Sequence, residues 1–295
     1  MNKDFKSGFV SLIGRPNVGK STLMNTLVGE KIAIVSNKPQ TTRNRVQAVL
    51  TTDEFQAVFL DTPGIHRAKS KLDGYMQKSV QTALTEIDVI LYLCEPTTKL
   101  LEEDRGVLSG IQTKAPIVLV VNKTDKLAAG GDLPIIEAYR GIYGFSEIIP
   151  ISAKNAENTD KLVDIIKKYL PAGVRYFEDD YLTDCPERQI IAELVREKAL
   201  LLLRDEIPHG IATVAERVTE YPQSLTIEVT IYCEKRSHKG IIIGKNGATL
   251  KKIGTLARED AQRLLGVKIN LQTWVKVKEG WRDDDFLLRN MGYSS

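Results

Sequence analysis

Gly14-Arg15-Pro16-Asn17-Val18-Gly19-Lys20-Ser21 is the stretch that decides the fold. It fits the pattern G-x-x-x-x-G-K-[ST]. An apolar run at 10–13 precedes it and a helical pattern at 22–28 follows, the strand–loop–helix context that a phosphate-cradling loop requires. The glycines let backbone N–H groups wrap an anion, and the helix N-terminus adds positive potential. Lys20 is long enough to reach β- and γ-phosphates, and Ser21 offers a hydroxyl to Mg²⁺. Gly14, Asn17, Val18, Gly19, Lys20, Ser21 and Thr22 are therefore the expected contacts on the phosphate side of a nucleotide. The motif alone does not choose between ATP and GTP.

Working outward, apolar runs at 10–13, 46–50, 57–60, 89–93, 117–121 and 148–151 read as strands. Several are Val- and Ile-rich throughout, as in a sheet covered by helices on both faces. Helical stretches lie between most of them, which predicts a doubly wound α/β domain with a mostly parallel sheet. A helix at 161–169, stopped by Pro171 and Gly173, closes it. Residues 173–186 have no clear period and are acidic, so they read as a linker. Beyond it the order changes to helix 187–204, strands 211–219 and 225–234, helices through 239–265 and a strand 267–277. The expected division is a nucleotide domain at 1–172, the linker at 173–186 and an α+β domain at 187–295.

Two later motifs name the base. Asn122-Lys123-Thr124-Asp125 and Ser152-Ala153-Lys154 each follow a strand. The Asp125 carboxylate can accept from both adjacent donors on guanine's edge, a pair that adenine lacks. A site built on such a bond discriminates strongly, so GTP and GDP are the expected nucleotides. Between these motifs, Asp61-Thr62-Pro63-Gly64 also follows a strand. Asp61 would hold Mg²⁺ through water, and the Gly64 N–H would meet the γ-phosphate. Of the adjacent Thr41 and Thr42, in a polar stretch suited to an order–disorder switch, Thr42 is the expected sensor of Mg²⁺ and γ-phosphate. Lys20, Thr42, Asp61 and Gly64 make up the catalytic set, and Ser21, Thr42 and Asp61 the magnesium set.

The chain has 295 residues, enough for two domains, with 42% hydrophobic and 27% charged residues. No run is apolar and long enough to cross a bilayer, and residues 1–6 lack a signal-peptide core, so a cytoplasmic protein is expected. Cys94, Cys185 and Cys233 share no metal-type spacing and read as reduced thiols. Net charge is only +3, but Lys235, Arg236, Lys239, Lys245, Lys251 and Lys252 cluster with no acidic residue among them. Read alone, such a cluster is a solvated surface as readily as a nucleic-acid site.

The first half resembles the translation-factor-related GTPases, and within them the Era-like group, through GxPNVGKS, TTR, DTPG, NKxD and SAK. Ile65 stands where Ras-like members carry the water-orienting glutamine, which implies slow intrinsic turnover. The resemblance also offers Asn17 as a K⁺ ligand; a loop residue satisfying its own backbone is the equal alternative. His66, a lone histidine in a loop, is not assigned a catalytic role.

In the second half, residues 238–253 (HKGIIIGKNGATLKKI) look like the Ile-Ile-Gly-x-x-Gly core of a KH domain. Such a loop brings backbone against nucleic-acid phosphates and clamps about four single-stranded nucleotides. Lys239, Gly240, Ile243, Gly244, Lys245, Asn246 and Gly247 are the expected RNA contacts, with Ile241, Ile242 and Ile243 as an apolar groove for bases. The order helix–strand–strand–helix–helix–strand matches the type II arrangement. Together the halves resemble the Era family over almost the whole chain. That resemblance implies a monomeric GTPase that acts in 30S subunit assembly and holds the 3′ end of 16S rRNA while GTP is bound. An RNA-binding scaffold with a structural nucleotide, and a GTPase peripheral to the inner face of the cell membrane, are the rival readings. Asp283-Asp284-Asp285 reads as an acidic helix start, and Trp274 and Trp281 as core residues.

Overall fold

The computed structural model describes residues 5–38, 40–64, 70–82, 86–99, 101–128, 130–205 and 207–293. Ile65 and His66 lie outside them. The chain divides into two compact units. Unit one gathers Met1–Ala33, Thr42–Arg67 and Met76–Asp184; unit two gathers Ile34–Thr41, Ala68–Tyr75 and Cys185–Ser295.

Unit one is built on a six-stranded sheet in the order β2-β3-β1-β4-β5-β6. The strands are β1 (Lys6–Gly14), β2 (Val46–Thr51), β3 (Phe55–Asp61), β4 (Val89–Cys94), β5 (Ile117–Val121) and β6 (Glu147–Pro150). β2 runs antiparallel to β3, and every other pairing is parallel. β3, β4 and β5 are buried along their whole length. That is why they read as unbroken apolar runs rather than as alternation. One face carries the cluster of Val10, Leu12, Leu91, Val118 and Leu162; the other carries Ile13, Ile90, Tyr92, Leu119 and Tyr139. Helices α1 (Lys20–Val28), α2 (Lys71–Thr82, grouped with this unit from Met76), α3 (Leu101–Ser109), α4 (Leu133–Arg140) and α5 (Thr159–Tyr169) connect the strands or follow the last of them.

Gln56 sits fully buried on β3 yet satisfies its amide completely. Its Nε2 donates to Thr51 Oγ1 (2.9 Å) and Phe177 O (3.0 Å), and its Oε1 accepts from the Tyr176 (2.7 Å) and Phe177 (3.1 Å) amides. The Val49 amide donates to Leu182 O at 2.8 Å and Thr183 Oγ1 to Gln47 O at 2.6 Å. Much of the segment 173–186 thus lies along β2 and β3.

Unit two carries α6 (Glu187–Leu202), β7 (Ile211–Tyr221), β8 (Ser224–Cys233), α7 (Arg236–Ile243), α8 (Ala248–Leu265), β9 (Lys268–Val277) and α9 (Asp285–Asn290). β7 and β8 pair antiparallel and β8 and β9 parallel. Ile191, Val195, Ile227, Val229, Ile231, Ile253, Ala257 and Ile269 fill its core. Asp284 caps α9 by accepting from the Phe286 (2.9 Å) and Leu287 (3.0 Å) amides, the expected acidic start. Trp281 is fully buried and its Nε1 donates to Gly210 O at 3.2 Å. Trp274 departs from expectation: it is 54% exposed, because β9 alternates and its even-numbered residues face outward.

A buried carboxylate ties four elements of unit one together. Asp104 on α3, fully buried, accepts from Arg15 Nε (2.9 Å), Tyr92 Oη on β4 (2.7 Å) and Tyr139 Oη on α4 (2.5 Å). Burial, aided by the facing carboxylate, drives both tyrosine pKa values far above the ordinary 10. Replacing Asp104 by Ala orphans three donors, one of them a cation. Asp104→Ala is expected to destabilise the protein by about 3–5 kcal/mol, read as a lower midpoint in urea unfolding.

Candidate functional site

The phosphate loop joins β1 to α1, and its shape depends on the absence of side chains. Gly19, the N-cap of α1, has φ 103°, and a Cβ there would stand 2.2 Å from Asn122 Nδ2. Gly14 ends β1, Val18 is fully buried, and Thr22 lies in the first turn of α1. Asn17, at φ 65°, is exposed on the rim of the loop. Lys20 turns back into the loop, its Nζ donating to Gly14 O (3.0 Å) and Arg15 O (3.1 Å). Burial lowers its pKa to about 8, against the opposing pull of Asp61. Gly64 backs onto Pro16, with room for no more than a hydrogen at its Cα.

Three hard oxygen ligands converge at the base of this loop. Ser21 Oγ donates to Asp61 Oδ2 at 2.6 Å and lies 2.9 Å from Thr42 Oγ1, which is itself 3.3 Å from Asp61 Oδ2. Asp61 Oδ1 is buried and without a hydrogen-bond partner among the described residues. Desolvation raises the Asp61 pKa, opposed by Lys20 and by bonds from Ser21 and Thr42. Two hydroxyls and a carboxylate with an unused buried oxygen fit a magnesium ion, which takes oxygen ligands and keeps several waters. Of the two adjacent threonines, Thr42 is brought to this point. Thr41 is turned away, its Oγ1 donating to Lys38 O at 2.6 Å.

On the base side, the Asn122 amide bridges three loops: Nδ2 donates to Val18 O (2.8 Å) and Oδ1 accepts from the Ala153 amide (3.0 Å). Lys123, at φ 66°, sends Nζ to Asn17 O at 2.5 Å and pairs with Glu95. Asp125 is exposed, with Oδ1 accepting from Ser152 Oγ at 2.8 Å. Ala153 is buried, its carbonyl accepting from Thr26 Oγ1 at 2.8 Å, whereas Lys154 is exposed. Glu95 was not singled out from sequence. The available signal was its place just beyond the carboxyl end of β4, where ligands of such sheets bind.

The second set of predicted residues forms a separate surface on unit two. Gly244 ends α7 at φ 73°, and a Cβ there would meet Thr249 Oγ1 at 2.2 Å. Asn246 (φ 52°) and Gly247 (φ 78°) complete the turn into α8, whose N-terminus no side chain caps. The Ala248 amide donates back to Lys245 O, so the turn closes on its own backbone. Lys235, Arg236, Lys239, Lys245, Lys251 and Lys252 are all exposed, as are Gly240 and Asn246. The apolar groove needs correction. Ile242 is fully buried in the core of unit two, so only Ile241, 53% exposed, and half-buried Ile243 face outward. Three consecutive residues on a helix point in three directions, about 100° apart, and cannot share one groove.

Comparison with known proteins agrees with this arrangement. Residues 9–123 match the family described as 50S ribosome-binding GTPase, and residues 206–282 match the KH domain family. The chain is 53% identical to GTPase Era of Clostridioides difficile over 294 residues, covering 98% of this chain and 99% of that one. It is 50% identical to GTPase Era of Clostridium perfringens over 291 residues, covering 98% of each. Among solved structures, Era in complex with MgGDPNP and nucleotides 1506–1542 of 16S ribosomal RNA superposes with a TM-score of 0.95 at 40% identity, over 99% of this chain and 100% of that one. A point variant of Aquifex aeolicus Era bound to GDP·AlF4⁻ matches equally well, with a TM-score of 0.95 at 40% identity and the same coverage. With identity of this order over nearly its full length, the chain belongs to the Era family of GTPases.

Proposed function

We propose that the protein is a GTP-hydrolysing switch that binds the single-stranded 3′ end of 16S rRNA and acts in 30S subunit assembly in the cytoplasm. The observation that carries the reading is the meeting of Thr42 with Ser21 and Asp61 beside an unpartnered carboxylate oxygen. It is supported by the complex of an Era relative with MgGDPNP and a 16S fragment. In this reading residues 1–172 hydrolyse GTP to GDP and phosphate, and residues 187–295 hold RNA. Lys20 and the amides of Gly14 and of residues 17–22 bind the phosphates, and the Gly64 amide meets the γ-phosphate. Asn122, Lys123, Asp125, Ser152, Ala153 and Lys154 enclose guanine. Ser21, Thr42 and Asp61 would hold Mg²⁺, which supplies positive charge opposite the phosphate oxygens. The γ-phosphate adds a contact that holds Thr42 in place, so hydrolysis loosens its segment. Lys239, Gly240, Ile243 and residues 244–247 contact the RNA backbone and bases.

The deciding experiment compares affinity for a pyrimidine-rich single strand in the presence of a non-hydrolysable GTP analogue and of GDP, at fixed salt. Fixed salt matters because phosphate contacts make affinity steeply ionic-strength dependent. A preference of tenfold or more, about 1.4 kcal/mol, is expected; equal affinities would overturn the switch and favour a scaffold.

Base recognition has its own test. In Asp125→Asn an amide replaces the carboxylate, and xanthine nucleotides, with a carbonyl where guanine has its amine, are expected to bind better than guanine ones. Unchanged GTP affinity in this variant removes Asp125 from the base site.

The lowered Lys20 pKa makes a proton prediction. Burial pulls the Lys20 pKa down to about 8 and nearby phosphate raises it again, so GDP binding in magnesium-free buffer should take up protons at alkaline pH, where Lys20 is partly neutral before binding. Calorimetry in buffers of different ionisation enthalpy reads this directly. The lysine's uptake should shrink as the pH falls toward 7, where Lys20 is largely charged before binding.

A further inference from the structure

The segment 34–41 is held at both ends by α6. Residues 34–41 group with unit two, and Thr42 begins the next stretch of unit one. Ile34 lies in the unit-two core with Ile191, Val195 and Ala257. The Val35 amide donates to Glu197 Oε1 on α6 at 2.9 Å. One residue earlier on α6, Arg196 points its guanidinium at the far end of the segment. Nη1 donates to Gln40 O at 3.4 Å and Nη2 donates to Thr41 O. Nε and Nη2 also pair with Glu193, at 2.9 and 2.5 Å. The Arg196 side chain is entirely buried.

Burying a guanidinium is costly unless it is paired and its donors are used. Glu193 supplies the countercharge, and the carbonyls of Gln40 and Thr41 use donors that remain. An aliphatic side chain would fill the same space without that cost, so packing does not account for the charge. The consequence lies in the peptide that joins residues 41 and 42. The Thr41 oxygen, the Thr42 nitrogen and the Thr42 Cα lie in one plane. A donor holding that oxygen therefore fixes the base from which the Thr42 side chain departs. Threonine adds little freedom of its own, because branching at Cβ restricts χ1. The Thr42 hydroxyl then falls 2.9 Å from Ser21 Oγ and 3.3 Å from Asp61 Oδ2.

We propose that Arg196 is a positioning residue for the GTPase reaction: by holding the Thr41 carbonyl it presents Thr42 to Ser21 and Asp61. The inference rests on the reading of Thr42 as the γ-phosphate sensor. It also gives α6 a route to the RNA surface. Lys198 joins Glu197 (2.7 Å) to Asp260 on α8, the helix that the Gly244–Gly247 turn opens.

The test uses the full chain with Arg196→Met, which keeps length and removes the donors, and Arg196→Lys, whose single ammonium cannot serve Glu193 and both carbonyls. Affinities for GDP and for a non-hydrolysable GTP analogue are measured with Mg²⁺, together with kcat at saturating GTP. GDP affinity is expected to stay near wild type. Analogue affinity and kcat are expected to fall about fivefold or more in Arg196→Met, within the range of coupling between linked sites, and by less in Arg196→Lys. A residue that only supports the fold would weaken both nucleotides alike. A wild-type ratio of the two affinities in Arg196→Met overturns the proposal. If that variant loses GDP binding through misfolding, Arg196→Lys decides: a reduced analogue-to-GDP ratio supports the proposal and a wild-type ratio overturns it. Thr42→Ala separates the levels. An unchanged ratio there sinks the sensor reading and this inference with it, whereas a collapsed ratio beside wild-type behaviour of both Arg196 variants sinks this inference alone.

Discussion

The Asn122 side chain is the tie on which the nucleotide site depends. One planar amide, 2% exposed, joins the phosphate loop to the loop beyond β6 by giving a hydrogen bond to Val18 and taking one from Ala153. Both ends of the amide are used, so its burial carries no desolvation debt of the kind an orphaned amide would bring. The tie also sets a close approach: it leaves no space for a side chain on Gly19. Residues flanking Asn122 are carried into place with it. Lys123 reaches across to the Asn17 carbonyl and Glu95, and Asp125 meets Ser152. Loops that are distant in sequence thereby become one rim.

Within that rim the electrostatics are incomplete, in a way that ligands complete. Lys20 and Asp61 are both buried, and burial pushes each toward its neutral form, the lysine downward and the carboxyl upward. Each charge only partly offsets the other. An anionic phosphate beside Lys20 and a cation beside the open oxygen of Asp61 would relieve both penalties. Shifts of this kind, in a site with convergent polar groups, accompany functional centres. Asp104 makes the contrast within the same unit: its three donors are all protein groups, and both of its oxygens accept from them.

Unit two solves a different problem, presenting backbone to a polyanion. Its turn runs through Gly244, Asn246 and Gly247, all at positive φ, and delivers the uncapped start of α8 into a field of exposed lysines. Charge there is local rather than global, since the net charge of the whole chain is only +3. A modest total thus hides a strongly basic face.

The sequence by itself determined the parts whose chemistry is local. A strand, a glycine-bearing loop and a helix start are written in consecutive residues, and so the phosphate loop, the strands from β1 to β6, the order of elements in unit two and the acidic start of α9 were all legible. Backbone conformation and hydrogen-bonding needs at such places leave few residue types to choose from. Tertiary structure decided whatever turned on a side chain's direction across long separations. Adjacent Thr41 and Thr42 are alike in sequence, and only folding turned one hydroxyl to Asp61 and the other to Lys38. Ile242 was taken into the core while Ile241 was left outside, and Trp274 and Trp281 went to opposite environments. Arg196 carries no motif; its meaning lies in carbonyls 155 and 156 residues away. Spacing along a chain fixes what neighbours can do, but the contacts of a buried side chain are set by which distant elements pack around it.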